Sequence, residues 1–483
     1  MIHKLIKIDN CGKFVNYKPS ESNYKWNGVF SKINTIYAEN GSGKTTFTQI
    51  LKSLSGNNCD LVEKRKSINT EGPIHISLLD ENNKIYSYQA TDWTRYIPFI
   101  EVYDCYYSES NVYIVSLGSY ESPSNFYDLV PEGYELLNQL RELRHKRKNE
   151  SSYIRNLRRD LKTADDSQKK ENLEIAIKKH TARKDQISNR INKFNAKLSL
   201  GIKQIGENYI ERANFYLNGF NPNLKLKGVK KLGQQLVYYF SINNFDVRSG
   251  NANLPLKHSL SEGDKSSLSL SFFLARLDLL PNIQDRIIVF DDPIASFDTR
   301  RRNMTVSQLS KIAEKCAQFF LLSHDLNFIK EFNNKQQNAN NLKIVWKNNT
   351  GVFVHHDIKL ETMTGISKDM YTLQHYLETG AITDLEKREV IRCIRPVLEG
   401  IFRLKYFNIL RDNEWLGDFL KKIKSCDETS VLYHLNEHYD ELSDINDYCK
   451  QYHHSNPQYM ELSISDEELK QFVKKTLEVI AYI

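Results

Sequence analysis

The strongest chemical signal in the chain is the run Ala38-Glu39-Asn40-Gly41-Ser42-Gly43-Lys44-Thr45-Thr46. A strand-like stretch, Ile33 to Tyr37, precedes it, and a helical one, Thr46 to Leu54, follows. Glycines let the backbone curl so that successive N–H groups point inward, and the helix start adds a positive partial charge. That combination holds phosphate groups. Asn40, Gly41, Ser42, Gly43 and Thr46 form the cradle. Lys44 is placed to reach the β- and γ-phosphates, and Thr45 to offer its hydroxyl to Mg²⁺. Ala38 stands where the usual pattern has its first glycine, a change that costs little unless the position needs φ > 0.

A second signal lies far downstream. Arg286 to Phe290 reads as an apolar strand, and it ends on Asp291 and Asp292. A buried strand that delivers a carboxylate beside a triphosphate serves its metal, so Asp291 is the expected Mg²⁺ ligand and Asp292 the base that orients water. Alone, Asp-Asp-Pro would be an ordinary strand-end turn; the phosphate loop makes the catalytic reading the better one. Leu260-Ser261-Glu262-Gly263-Asp264-Lys265 opens a helix running to Leu280, with Ser261 suited to the N-cap. Ser296-Phe297-Asp298 follows the acidic pair, and Leu321-Leu322-Ser323-His324-Asp325 reads as a strand ending at a histidine. Taken singly, these are a capped helix and a structural histidine.

The elements that must position these residues follow from periodicity. Strands are expected at Leu5 to Ile8, His75 to Tyr88 (a pair turning at Asp80 to Asn83), Ile97 to Tyr103, Gln318 to Leu322, Leu342 to Trp346 and Val352 to Val354. Between the two halves lies a proline-free stretch from Gly133 to about Leu200. Its apolar residues recur at helical spacing (Leu136, Leu140, Leu143, Ile154, Leu157; then Ile175, Ile177, Ile187, Ile191), with a polar break near Thr163 to Ser167. An antiparallel helical hairpin with a short coiled coil is expected. From Asp357 onward the pattern is helical. The expected domains are 1–132, 133–205 (the arm), 206–356 and 357–483.

Charge is concentrated. Residues 141–200 carry 18 basic and 8 acidic side chains, whereas residues 401–483 carry 10 basic and 15 acidic ones. The basic arm attracts polyanions, or is simply a solvated helical face. The seven cysteines are scattered, with no Cys-x-x-Cys pair. They point to a reducing cytosol, without a disulfide framework or structural zinc. No apolar run is long enough to span a membrane, and the first residues lack the apolar core of a secretory signal.

Together, in this order, the five pieces resemble the head of an ABC-type ATPase of the SMC and DNA-repair branch. The resemblance covers residues 1 to 356. It implies an α/β P-loop head, split by an inserted helical hairpin and followed by an α-helical C-terminal domain. It implies ATP and Mg²⁺ as cofactors and a homodimer, open to higher assembly, in which Ser261 and Gly263 of one copy close over the γ-phosphate held by the other. Asp298 then falls in the dimer-contacting loop, and His324 becomes the histidine that touches the γ-phosphate. The wording of "LSEGDKSSLSLSFFLARL" and "IIVFDDPIASFD" is closer still to the ATPase modules of PrrC- and RloC-type anticodon nucleases and Septu-type defence ATPases. In that group the second acid is often Asp, as Asp292 is. The arm has no cysteine and so departs from the zinc hook of the RloC type.

The same resemblance suggests an RNase site in the C-terminal helices, from Arg395, Glu399 and the distant His453 and His454. Arg and Glu four apart also form ordinary surface pairs, and Pro396 points to a kink or a helix start beside them. The leading expectation is a cytoplasmic ATP-driven sensor of an anti-phage system that controls a separate nuclease, such as an HNH-type partner. The arm would contact tRNA or DNA. A self-contained tRNA anticodon nuclease and an SMC-like DNA-repair ATPase are the alternatives.

Overall fold

The computed structural model describes all residues except 22–25, 57, 69, 90, 108–110, 112–124, 233–234, 250–259, 295–296, 382, 412, 453–461 and 483. The chain divides into two compact units, Met1–His356 and Asp357–Ile483.

The first unit begins with β1 (Ile2–Cys11), β2 (Phe14–Tyr17), β3 (Ile33–Tyr37) and the phosphate-loop helix α1 (Lys44–Gly56). Then come β4 (His75–Asp80), β5 (Ile85–Gln89), β6 (Asp92–Trp93) and β7 (Ile100–Tyr103). Two long helices, α2 (Gly133–Thr163) and α3 (Ser167–Phe220), make the arm, and β8 (Leu224–Leu232), β9 (Gln235–Ile242) and β10 (Phe245–Arg248) follow. The remainder is α4 (Glu262–Leu279), β11 (Ile287–Asp291), α5 (Thr299–Lys315), β12 (Gln318–Ser323), α6 (Leu326–Lys335), β13 (Asn340–Lys347) and β14 (Thr350–His355).

Six strands form the central sheet in the order β14-β13-β3-β12-β11-β7; β1, β2, β4, β5 and β6 form a second sheet, and β8 to β10 a third. All central pairings are parallel except β13 with β14. The strands read as unbroken apolar runs because both faces are covered. Ile288 and Phe290 of β11, like Phe319 and Leu321 of β12, enter a core shared with α3 and α4. Ile287, Val289, Phe320 and Leu322 enter the other core, shared with α1 and the second sheet. Strand β12 lies between β3 and β11 with Tyr37 opposite Ser323 and Leu322 opposite Asp291. The residues after all three strands therefore emerge at one edge of the sheet, where open α/β sheets bind ligands.

The arm is an antiparallel pair, as its periodicity implies. Asp166 caps α3 by accepting from the N–H groups of Gln168 and Lys169. His180 meets Glu150 across the pair at 2.7 Å. Ile154, Leu157 and Ile191 are buried, whereas Ile175 faces solvent. Helix α3 continues to Phe220, beyond the arm boundary expected at 205, because Tyr209, Ala213, Leu217 and Phe220 keep the apolar spacing and pack into the head core.

The second unit is helical: α7 (Gly365–Thr379), α8 (Asp384–Lys405), α9 (Leu416–Ser425), α10 (Tyr439–Gln451) and α11 (Asp466–Tyr482) surround their own apolar core. Helix α8 runs through Pro396 rather than starting beside it.

Candidate functional site

The loop after β3 is bound to its neighbour: the Ala38 N–H donates to the Ser323 carbonyl at 3.1 Å. Gly41 and Gly43 lie at φ 78° and 115°, which side chains other than glycine rarely adopt, and Ala38 is not at positive φ. The alanine departure is thus free of backbone strain. The Phe47 N–H donates to the Gly43 carbonyl at 3.0 Å, closing the first turn. The Lys44 ammonium folds back over the loop, donating to the carbonyls of Ala38 (2.6 Å) and Glu39 (3.2 Å).

Asp291 ends β11 inside the protein. Burial, and then the neighbouring Asp292 charge, push its carboxyl up to about 7, while a hydrogen bond from Thr45 opposes the shift. Its Oδ1 is buried without a hydrogen-bond partner. An orphaned carboxylate oxygen beside a threonine hydroxyl is an all-oxygen set that suits a hard cation such as Mg²⁺, which keeps waters and substrate phosphates as its other ligands.

Asp292 is left-handed, at φ 47°. Its Oδ1 accepts from both the backbone N–H (2.9 Å) and the Nδ1 (2.8 Å) of His324, and its Oδ2 lies 3.6 Å from the Lys44 ammonium. A carboxylate can only accept, so Nδ1 of His324 carries the proton and Nε2 is turned to the other side of the ring. A cavity of about 830 Å³ opens over Asn40, Gly41, Gly43 to Thr46 and Asp292.

The family comparison matches residues 144–474, more than half of the chain, to the model described as AAA domain (AAA_13). The chain belongs to the AAA domain family. Solved structures similar to it include the Smc head domain with an extended coiled coil bound to the C-terminal domain of ScpA from Pyrococcus furiosus. That comparison has 13% identity and a TM-score of 0.42, over 74% of this chain and 96% of that one. The Smc head domain with a coiled coil and joint from Pyrococcus yayanosii aligns at 11% identity and 0.38, over 74% and 97%. The SMC head domain from Thermotoga maritima aligns at 12% identity and 0.29, over 74% and 100%. No curated protein matches the chain.

In this AAA domain protein Ser261 is the N-cap of α4, forming a capping box with Asp264 at 3.2 Å in both directions. Ser261 and Glu262 are exposed and Gly263 is half-buried. None of the three lines the cavity over the phosphate loop. The Asn221 amide donates to Asp264 at 2.7 Å, and Arg301 links the Phe220 carbonyl (2.7 Å) to Asp298 (3.7 Å), so the start of α4 and Asp298 share one end of α3. Ser296 lies outside the described residues.

Arg395 and Glu399 form a 3.1 Å pair. Glu399 is largely buried and also accepts the Leu416 N–H at 3.0 Å, which holds the start of α9. His453 and His454 lie outside the described residues.

Sequence reasoning passed over Asp104. It is buried and accepts from Gln49 and Lys52 of α1, each at 2.7 Å. It directly follows β7 as Asp291 ends β11, a parallel of apolar strand and acid that was there to be read.

Proposed function

We propose that this AAA domain protein binds ATP with Mg²⁺ and hydrolyses it in a site that a second copy of the chain completes. The observation that carries the reading is the Asp292 carboxylate, with one oxygen on His324 and the other toward Lys44. Asn40 to Thr46 cradle the phosphates, and the Lys44 ammonium exchanges its two backbone carbonyls for β- and γ-phosphate oxygens. Asp291 and Thr45 would hold Mg²⁺, which would supply neutralisation of phosphate charge. Asp292 orients the attacking water and accepts its proton, while His324, its ring fixed by donating Nδ1–H to Asp292, donates Nε2–H to the γ-phosphate as the imidazolium. The exposed Ser261 and half-buried Gly263, set apart from the cavity of their own chain, support a role opposite the phosphates of a partner copy.

Closure of two copies on ATP then acts as a switch. The motif wording shared with defence ATPases supports an anti-phage sensor that controls a separate nuclease of HNH type, and the arm's charge supports contact with tRNA or DNA. The structural use of Glu399 counts against a self-contained ribonuclease. The test is Mg-ATP binding and turnover by purified protein. Lys44→Ala is expected to lose binding, and Asp292→Asn to bind ATP, lose turnover and accumulate as dimer. Turnover retained in Asp292→Asn would remove the proposed base.

A further inference from the structure

The cavity over the phosphate loop, about 830 Å³, is also lined by three segments that the phosphate chemistry leaves unused. They are the β1–β2 turn with Lys13, Arg65 to Ile68 with Thr70, and the β13–β14 hairpin with Trp346 and Asn349. We propose that this part of the cavity is a nucleobase site, in which a purine stacks on the indole of Trp346. The inference rests on the nucleotide reading given above and adds what selects the nucleoside.

Trp346 lines this cavity and is about half exposed, at 52%. Its π-face already attracts a cation, since the Lys13 ammonium lies 5.3 Å from the ring centroid. The residue opposite it in the hairpin register is Gly351, which adds no side chain beside the indole. Asn348 and Asn349 take up the left-handed turn at φ 48° and 60°, and so hold the hairpin tip in one shape.

The three segments are fixed to the phosphate loop by close contacts. The ring of Phe14 sits between Gly43 and Gly351; a Cβ on either glycine would come within 3.2 Å of it. The Gly351 N–H donates to the Lys13 carbonyl at 2.8 Å, and the Val15 N–H to the Thr350 hydroxyl at 3.0 Å. Gly12, at φ 58°, packs so closely on Thr46 that a Cβ there would fall 2.4 Å from its hydroxyl oxygen, and the Gly12 N–H donates to the Arg65 carbonyl at 2.6 Å. Trp346 is therefore held at a set distance from the phosphate cradle, as a platform that receives the base once the phosphates are seated.

The test is calorimetric titration of the full-length protein with Mg-ATP and, separately, with Mg-tripolyphosphate, which has no base. Stacking of one base is worth roughly tenfold or more in affinity. Trp346→Ala is expected to weaken ATP by about that factor while tripolyphosphate binds as before, and Trp346→Phe, which keeps a ring, to recover most of the loss. ATP affinity unchanged in Trp346→Ala overturns the inference. So does an equal loss for ATP and tripolyphosphate, which marks a damaged pocket rather than a lost stack. If wild type binds neither ligand, the nucleotide reading itself fails and this inference goes with it.

Discussion

Asp292 shows how a single backbone angle sets a site. An L-residue at φ 47° is costly, but aspartate tolerates the left-handed region better than most, and here the turn swings the carboxylate back toward Lys44 and His324. If Asp292 is the proposed base, Asp292→Asn, which keeps the shape, is expected to slow turnover by about two to three orders of magnitude with ATP affinity little changed, as single-turnover kinetics would show. Asp291 makes a pH prediction. Its carboxyl is raised to about 7 by burial, whereas an unfolded chain titrates near 4. Between those values the folded state binds more protons, so nucleotide-free stability should fall as pH rises from about 4 to 7 and then level off. Asp291→Asn should remove that slope, leaving the mutant the more stable of the two at pH 8 by about 2–4 kcal/mol in denaturant melts. A slope unchanged by the mutation would contradict the burial argument.

At the scale of elements, a buried charge cluster joins α4 to the sheet. Glu101 of β7 accepts from Arg276 of α4 and, at 2.5 Å, from Arg286 just before β11. Glu101→Gln would leave two arginines facing each other with little water, and is expected to cost about 3–5 kcal/mol, read from denaturant midpoints. In the helical unit Glu399→Ala should cost about 2–3 kcal/mol by stranding Arg395 and the Leu416 N–H together. The phosphate loop and β11 were legible because each carries its own chemistry beside an unmistakable apolar run. The third sheet was not: Leu224-Lys225-Leu226-Lys227 alternates as a strand should, but lysines on the outer face hide the pattern in average polarity. The full length of α3 was missed because its last turns change partner, from arm to head core, without changing period. Trp346 and Asp104 were invisible as site residues because their significance lies in what the topology places beside them.

At the scale of the molecule, charge and assembly are the remaining variables. Basic side chains crowd residues 141–200, and most of them are exposed along α2 and α3. If the arm meets nucleic acid, replacing Arg155, Arg158 and Arg159 with glutamine should lower affinity for DNA or RNA and flatten its dependence on salt; an unchanged salt slope would make the arm a solvated face only. Ser261 is exposed in the single chain and stands apart from its own phosphate cavity, so a hydrolytic site is expected to need two copies. The most direct measurement mixes two inactive variants, Lys44→Ala and Ser261→Arg, in equal amounts and follows phosphate release. In a mixed dimer, one site pairs an intact phosphate loop with an intact serine turn. Activity should therefore return to about a quarter of wild type, since about half of all dimers are mixed and each has one working site of two. Full turnover by Ser261→Arg alone, or a mixture as inactive as its components, would show that two copies do not share a site.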